Sequence, residues 1–385
     1  MTQARLISNF PPLRLVLSAP GGASLNYDLG SMYERGEGVP QDDAEALLWY
    51  RKAADEDYAL AQYALARMYS AGQGVPPDAA EALAWCRKAA NQGYDRAQYA
   101  LAKMYSVGEA VPQDHAEAAK WYRKAAQQGY AHAQNDLGVM YECGRGLQPD
   151  HGEAVAWYRK AAHQDHARAQ NNLGFMYERG RGVPQDHAEA VKWYRRAADQ
   201  GIPRAQLNLG VMYERGLGVP QNYAEALGWF RKAADRDFAI AQNNLGYLYE
   251  RGCGTPQDHA EAAKWYRKAA EQGDMDSQNR LATLYLTGDG VQQDFAEAAK
   301  WYRKAADQGD VEAQNELGSL YGNGRGVPVD YVEAYRWFDI AASHDPGADF
   351  ETHDNAVRNR DTVAGKMTPE QIATAQKLAK TWKPN

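Results

Sequence analysis

The chain has 385 residues, with 43 Lys and Arg against 50 Asp and Glu, a formal net charge of −7, and three cysteines. An acid surplus argues against a protein built to follow phosphate backbones, three cysteines cannot make a disulfide framework, and no apolar run reaches the roughly 20 residues of a membrane-spanning helix. Ten Trp and twenty-five Tyr beside only seven Phe is an imbalance that a repeat can explain.

Taken in chain order, the first apolar run is Leu15-Val16-Leu17, bounded by Arg14 and Pro20. A secretory signal needs about 7–15 unbroken apolar residues, so residues 1–22 read as an N-terminal arm. Cytoplasmic localisation is the default expectation, with a periplasmic or secreted chain left open.

Residues 23–345 read as nine copies of one 36-residue unit. Leu29, Leu65, Leu101, Leu137, Leu173, Leu209, Leu245, Leu281 and Leu317 are evenly spaced without an insertion. Tyr follows each Leu by four residues (Tyr33 to Tyr321) and Gly by seven (Gly36 to Gly324). Trp follows by twenty, from Trp49 to Trp337, which places nine of the ten Trp in phase. Each unit predicts two helices. Ala61, Leu65, Met68 and Tyr69 form the apolar stripe of a first helix, and Ala46, Trp49, Tyr50, Ala53 and Ala54 that of a second. Between them Gly36 suits a left-handed helix end. Asp42 suits the N-cap of the next helix, with Glu45 three residues on as in a capping box. Ala110 stands where other copies have a second loop Gly, a costly exchange if that site needs positive φ. Pro149 sits one place later than the Pro of most loops, so that loop is expected to differ.

After Trp337 the pattern fades, and His353 stands where a tenth Leu would fall. Thr368-Pro369 predicts a helix start, with Ile372, Ala375, Ala379 and Trp382 on one apolar face. Residues 346–385 are thus expected to form C-terminal capping helices.

The consensus Ala-x-Ala-Gln-x-x-Leu-Gly-x-Met-Tyr-x-x-Gly-x-Gly-Val-Pro-Gln-Asp-x-Ala-Glu-Ala-x-x-Trp-Tyr-Arg-Lys-Ala-Ala resembles the Sel-1-like repeat family, a relative of the tetratricopeptide repeats. The resemblance covers roughly residues 25–345. It implies an all-α, right-handed superhelical solenoid of nine helix-turn-helix repeats with a C-terminal helical cap, whose first helices line a concave face. It also implies a protein-binding scaffold or adaptor, in bacteria often tied to signalling, surface polysaccharide or host contact.

Chemistry finds little to stand on. The loop Gly-x-Gly lacks a Lys, and an acid sits where a phosphate would bind. Cysteine-rich relatives are described as penicillin-binding or β-lactamase-like, but Cys86, Cys143 and Cys253 fall at unrelated offsets and no Ser-x-x-Lys occurs. A non-enzymatic chain without cofactor or metal is therefore expected, with a β-lactamase-type enzyme and a carbohydrate or envelope scaffold as the alternatives. His115, His151, His187 and His259 share one offset, but successive repeats lie about 10 Å apart, too far for shared metal ligation. The Arg51-Lys52 pair and its copies read as a solvated face with local ion pairs.

The residues that vary on the first helices suggest where a partner binds. Asn135, Asn171, Asn172, Asn208, Asn243 and Asn244 precede the repeat Leu, and Phe175, Val211 and Tyr247 follow it by two. Glu142, Glu178, Glu214 and Glu250 edge this strip. An Asn amide both donates and accepts, so these positions could hold an extended protein or peptide segment in a groove of repeats four to seven, the apolar side chains forming pockets. The other reading has the Asn residues pairing between neighbouring repeats. No nucleic acid and no membrane insertion enter either reading.

Overall fold

The computed structural model describes residues 22–344 and 350–384. Apart from Gly22, the expected N-terminal arm lies outside the described residues. Among these there are twenty helices and no strand. Eighteen pair as the nine expected hairpins, for example Ala131–Cys143 with His151–Ala162 in repeat four and Ala239–Arg251 with His259–Glu271 in repeat seven. The chain forms two compact units, Met1–Trp193 and Tyr194–Asn385.

Within a repeat the helix ends follow the local chemistry. Gly36 adopts φ +69°, and its N–H donates to the Met32 carbonyl, a conformation that costs a residue with a Cβ more than glycine. Asp42 caps the second helix by accepting from the N–H groups of Ala44 and Glu45. The reciprocal half of the expected capping box is not made. The Asp42 N–H already donates to the Tyr33 carbonyl at 3.0 Å, so Glu45 has no orphan donor to reach. At the equivalent position Glu117, Glu153 and Glu261 instead accept from the indole N–H of Trp121, Trp157 and Trp265 at 3.0–3.1 Å.

The core of each unit is built from the repeat residues. Leu65, Leu101 and Leu137 in the first unit and Leu245, Leu281 and Leu317 in the second are fully buried, with the Ala pairs of the second helices packed between them. Small residues set the spacing. A Cβ on Gly246 would come within 2.7 Å of the Tyr266 ring, so a larger residue there would have to move that ring. The Gln three residues before the Leu of repeats two to nine is buried and ties repeats together. Gln62 donates to the Ala54 carbonyl of the preceding repeat at 3.3 Å and accepts from Gln92 at 2.8 Å. Gln98 and Gln128 repeat the arrangement at 3.2 and 2.8 Å.

Two loops test the backbone reasoning. Ala110 sits at φ +60°, the left-handed region that the glycines of its sister loops occupy. The loop before Pro149 does not differ. Its Gly144 and Gly146 lie at +66° and +67°, as Gly36 and Gly38 do at +69° and +75°. Pro149 packs on Gly144 where Gln185 and Gln221 donate to a backbone carbonyl in their loops.

At the C-terminus the helix Phe350–Ala364 packs on the ninth hairpin. Thr368 and Gln371 make a complete capping box for Pro369–Thr381. Ala375 is fully buried, and the Trp382 ring meets Trp337 edge-on with centroids 6.3 Å apart.

Candidate functional site

Two residues before the Leu of one repeat and one before the Leu of the next form a polar contact between first helices. In repeats three to five, within the first unit, this contact is made. Tyr99 donates to Asp136 at 3.1 Å, Asn172 donates to Asn135 at 3.1 Å, and Asn135 donates to Asp136 at 2.9 Å. Asn171 donates to Asn172 at 3.4 Å. Asn135 is only 5% exposed, so its amide serves the stack.

In the second unit the same register breaks between repeats six and seven and between seven and eight, and in repeat eight Asn279 donates to Glu312 at 2.8 Å. Asn244 faces the position of Leu207, a buried side chain with no polar atom. Asn243 faces the position of Arg280, which is drawn away to Glu250 at 3.3 Å. Asn243 and Asn244 are half-buried, and neither side chain makes a hydrogen bond among the described residues. Val211 and Tyr247 lie half-buried on the core around Leu207, Phe230 and Leu245. Asn208 is half-buried one residue before Leu209. In the first unit Phe175 is flanked by the guanidinium groups of Arg179 and Arg181, 5.7 and 5.4 Å from its ring.

The acids five residues after the Leu answer the aromatic residue that follows Trp. Tyr50 donates to Glu34, Tyr158 to Glu142 and Tyr266 to Glu250 at 2.5–2.6 Å. Burial, then the carboxylate partner, pushes all three phenols well above the ordinary tyrosine range. Repeat six breaks the pairing, because Phe230 stands where the Tyr would be and Glu214 is retained. Burial holds the Glu214 carboxyl above its usual range, with Arg215 opposing.

The Arg-Lys pairs lie on a largely exposed face as expected, but aromatic groups replace the expected ion pairs. The Lys ammonium stacks on the Trp of its own helix, as Lys52 on Trp49 and Lys232 on Trp229 at 3.8 and 3.7 Å from the ring centroids. The Arg donates to the Tyr hydroxyl of the next repeat, Arg123 to Tyr141 at 2.8 Å and Arg159 to Tyr177 at 3.0 Å. Aromatic faces and hydroxyls within reach of the cations take the place of carboxylates.

The first unit also holds a cavity of about 780 Å³ bordered by Tyr99, His132, Asn135, Asp136, His166 and Arg168. His166 caps the helix Ala167–Arg179 by accepting from the Ala169 N–H at Nδ1, and its Nε2 lies 2.9 Å from His132 Nδ1. Burial and the neighbouring His132 lower its pKa below 6.5. No three His, Cys, Asp or Glu side chains converge as a metal set among the described residues. Cys86 is buried, its thiol pushed up to about 12 by that burial. No helix among them is long and apolar enough to cross a membrane.

The open amides and the unpartnered acid were not separated from their bonded counterparts by residue type. The signal was available in pairs: Asn244 with Leu207, Asn243 with Arg280, and Glu214 with Phe230.

Nine consecutive segments, from residues 23–58 to 311–346, match the Sel1 repeat. No curated protein matches the chain. Among solved structures, a protective antigen of uropathogenic Escherichia coli strains displaying an SLR fold is 35% identical. The match covers 94% of this chain and 84% of that one, with a TM-score of 0.59. A Sel1 repeat protein from Oxalobacter formigenes is 34% identical over 80% of this chain and 93% of that chain, with a TM-score of 0.62.

Proposed function

The chain belongs to the Sel1 repeat family, and on that premise we propose that it is a non-catalytic scaffold that holds a segment of a partner protein along its first helices. The partner-facing set is the part of the varying strip in the second unit, Asn208, Val211, Asn243, Asn244 and Tyr247, because in the first unit Asn135, Asn171 and Asn172 are bonded within the stack. The observation that carries the proposal is the break in register at repeat seven. A half-buried amide normally finds a partner, and Asn243 and Asn244 make no side-chain hydrogen bond among the described residues. An extended backbone would supply both a donor and an acceptor to each. Val211 and Tyr247 provide the apolar surface beside them.

The test is capture of a partner from lysate of the source organism by wild type and by the triple variant Asn243→Ala, Asn244→Ala, Tyr247→Ala, matched by circular dichroism. The expected result is a partner held by wild type and lost by the variant. A partner held equally by both would overturn the placement of the site.

A further inference from the structure

We propose that Glu214, with Asn244 beside it in the repeat register, is a receptor for an arginine side chain of the bound segment. The inference rests on the scaffold reading above and names the chemistry of what the scaffold takes.

The chain supplies its own precedents. The acid at this offset carries a guanidinium in three other repeats: in repeat five from the next residue, Arg179 on Glu178 at 3.5 Å, and in two from the first helix of the following repeat. Arg67 meets Glu34 at 2.6 Å. Arg280 meets Glu250 at 3.3 Å, its guanidinium 5.2 Å from the centre of the Tyr247 ring. The two arginines come from different offsets, two after the Leu and one before it, and reach equivalent carboxylates. In repeat seven those two offsets hold Tyr247 and Asn244, neither of which is cationic. Glu214 therefore has the location of a guanidinium site and, among the described residues, no guanidinium paired with it.

It has also lost its internal donor. Tyr50, Tyr158 and Tyr266 each hand a hydroxyl proton to the acid of their repeat, but Phe230 has none to give. Repeat nine shows what happens when the fold alone decides. There Phe338 replaces the Tyr, and Gly322 replaces the acid. Repeat six keeps the acid, although a half-buried carboxylate without a partner opposes folding. Among the described residues its side chain has no ion pair, Arg215 acting only at longer range.

Arginine fits better than lysine. The guanidinium presents five N–H groups in one plane, enough to meet the Glu214 carboxylate and the open Asn244 carbonyl oxygen together. The net charge of −7 favours the approach of a basic segment.

The experiment is selection of phage-displayed random peptides on wild type, on Glu214→Gln and on Glu271→Gln, the last an exposed acid that gives the same change in net charge. Wild type and Glu271→Gln are expected to select arginine-bearing peptides, and Glu214→Gln to lose that preference. For the best peptide, replacing its arginine by neutral, near-isosteric citrulline should cost roughly tenfold or more in affinity on wild type and nothing further on Glu214→Gln. Thermal unfolding of Glu214→Gln is expected at or above the wild-type midpoint, which separates loss of the site from loss of the fold. Arginine preference retained by Glu214→Gln, or lysine accepted as readily as arginine, would overturn this inference and leave the scaffold standing. Failure of wild type to select any peptide would overturn both.

Discussion

Repeats four and five share a frame with repeats six and seven and treat their polar side chains in opposite ways. Leu173 and Leu245 are both fully buried, and Trp157 and Trp265 are both nearly so. Yet Asn135 and Asn172 bond to one another across repeats, whereas Asn243 and Asn244 are left open by Arg280 and Leu207. Glu142 is closed by Tyr158, while Glu214 faces a phenylalanine. The frame positions are dictated by packing that every repeat must satisfy in the same way. The polar positions are free to drift, and at repeats six and seven they have drifted away from internal satisfaction. On the proposed reading, stability and recognition use different residues of the same helices.

The largest expected effect tests the shared frame. Leu173→Ala and Leu245→Ala should each cost about 2–5 kcal/mol, and by similar amounts, because both side chains are fully enclosed. Urea unfolding monitored by circular dichroism measures this. A loss at one site several-fold larger than at the other would show that the two frames are not equivalent.

The next test separates the polar surfaces. Asn135→Ala removes bonds to Asn172 and Asp136 at a nearly buried position and should cost about 1–3 kcal/mol. Asn243→Ala removes no side-chain bond and should stay within about 0.5 kcal/mol. Equal losses would mean that Asn243 has a structural role after all.

The frame was legible in the residues because one chain carries nine copies of it. Period, helix pairing, the Gly36 turn and the Asp42 cap all follow from recurrence joined to local stereochemistry. The left-handed turn at Ala110 followed by comparison with its sister loops, and Ala110→Gly should accordingly raise stability by about 1 kcal/mol. What recurrence hides is pairing between copies. Glu45 and its equivalents looked like capping-box acids, since nothing local says that the Tyr33 carbonyl has already taken the N-cap amide. Arg51 and Lys52 are exposed as expected, but Lys52 lies over the Trp49 ring and not in the expected ion pair, a contact that composition does not announce. The six Asn residues looked alike, because whether each is bonded depends on a residue about 36 positions away.

The smallest expected effect concerns the first-helix cap of repeat five, made by His166 where repeats eight and nine use Asp274 and Asp310. His166 is the acceptor for the Ala169 N–H, so it must be neutral at Nδ1 while its Nε2–H points at His132. Its surroundings include His132, Asp136, Arg168 and the exposed Lys103. Burial, His132 and Arg168 disfavour the charged ring, and Asp136 opposes them. The folded-state pKa therefore lies below that of the unfolded chain. The stabilisation is present above the unfolded value of 6.5 and is lost as pH falls from there through the lower folded-state pKa, because in that window the unfolded chain binds the proton more readily. Asn in place of His keeps an oxygen acceptor for the helix N-terminus and does not titrate. His166→Asn should consequently hold its thermal midpoint better than wild type between about pH 7 and about pH 5.5. Parallel pH profiles would mean that protonation does not disturb this cap. A steeper fall in wild type would tie the pH sensitivity of the first unit to the His132–His166 pair, beside the same Asn135–Asp136 contacts that distinguish it from repeats six and seven.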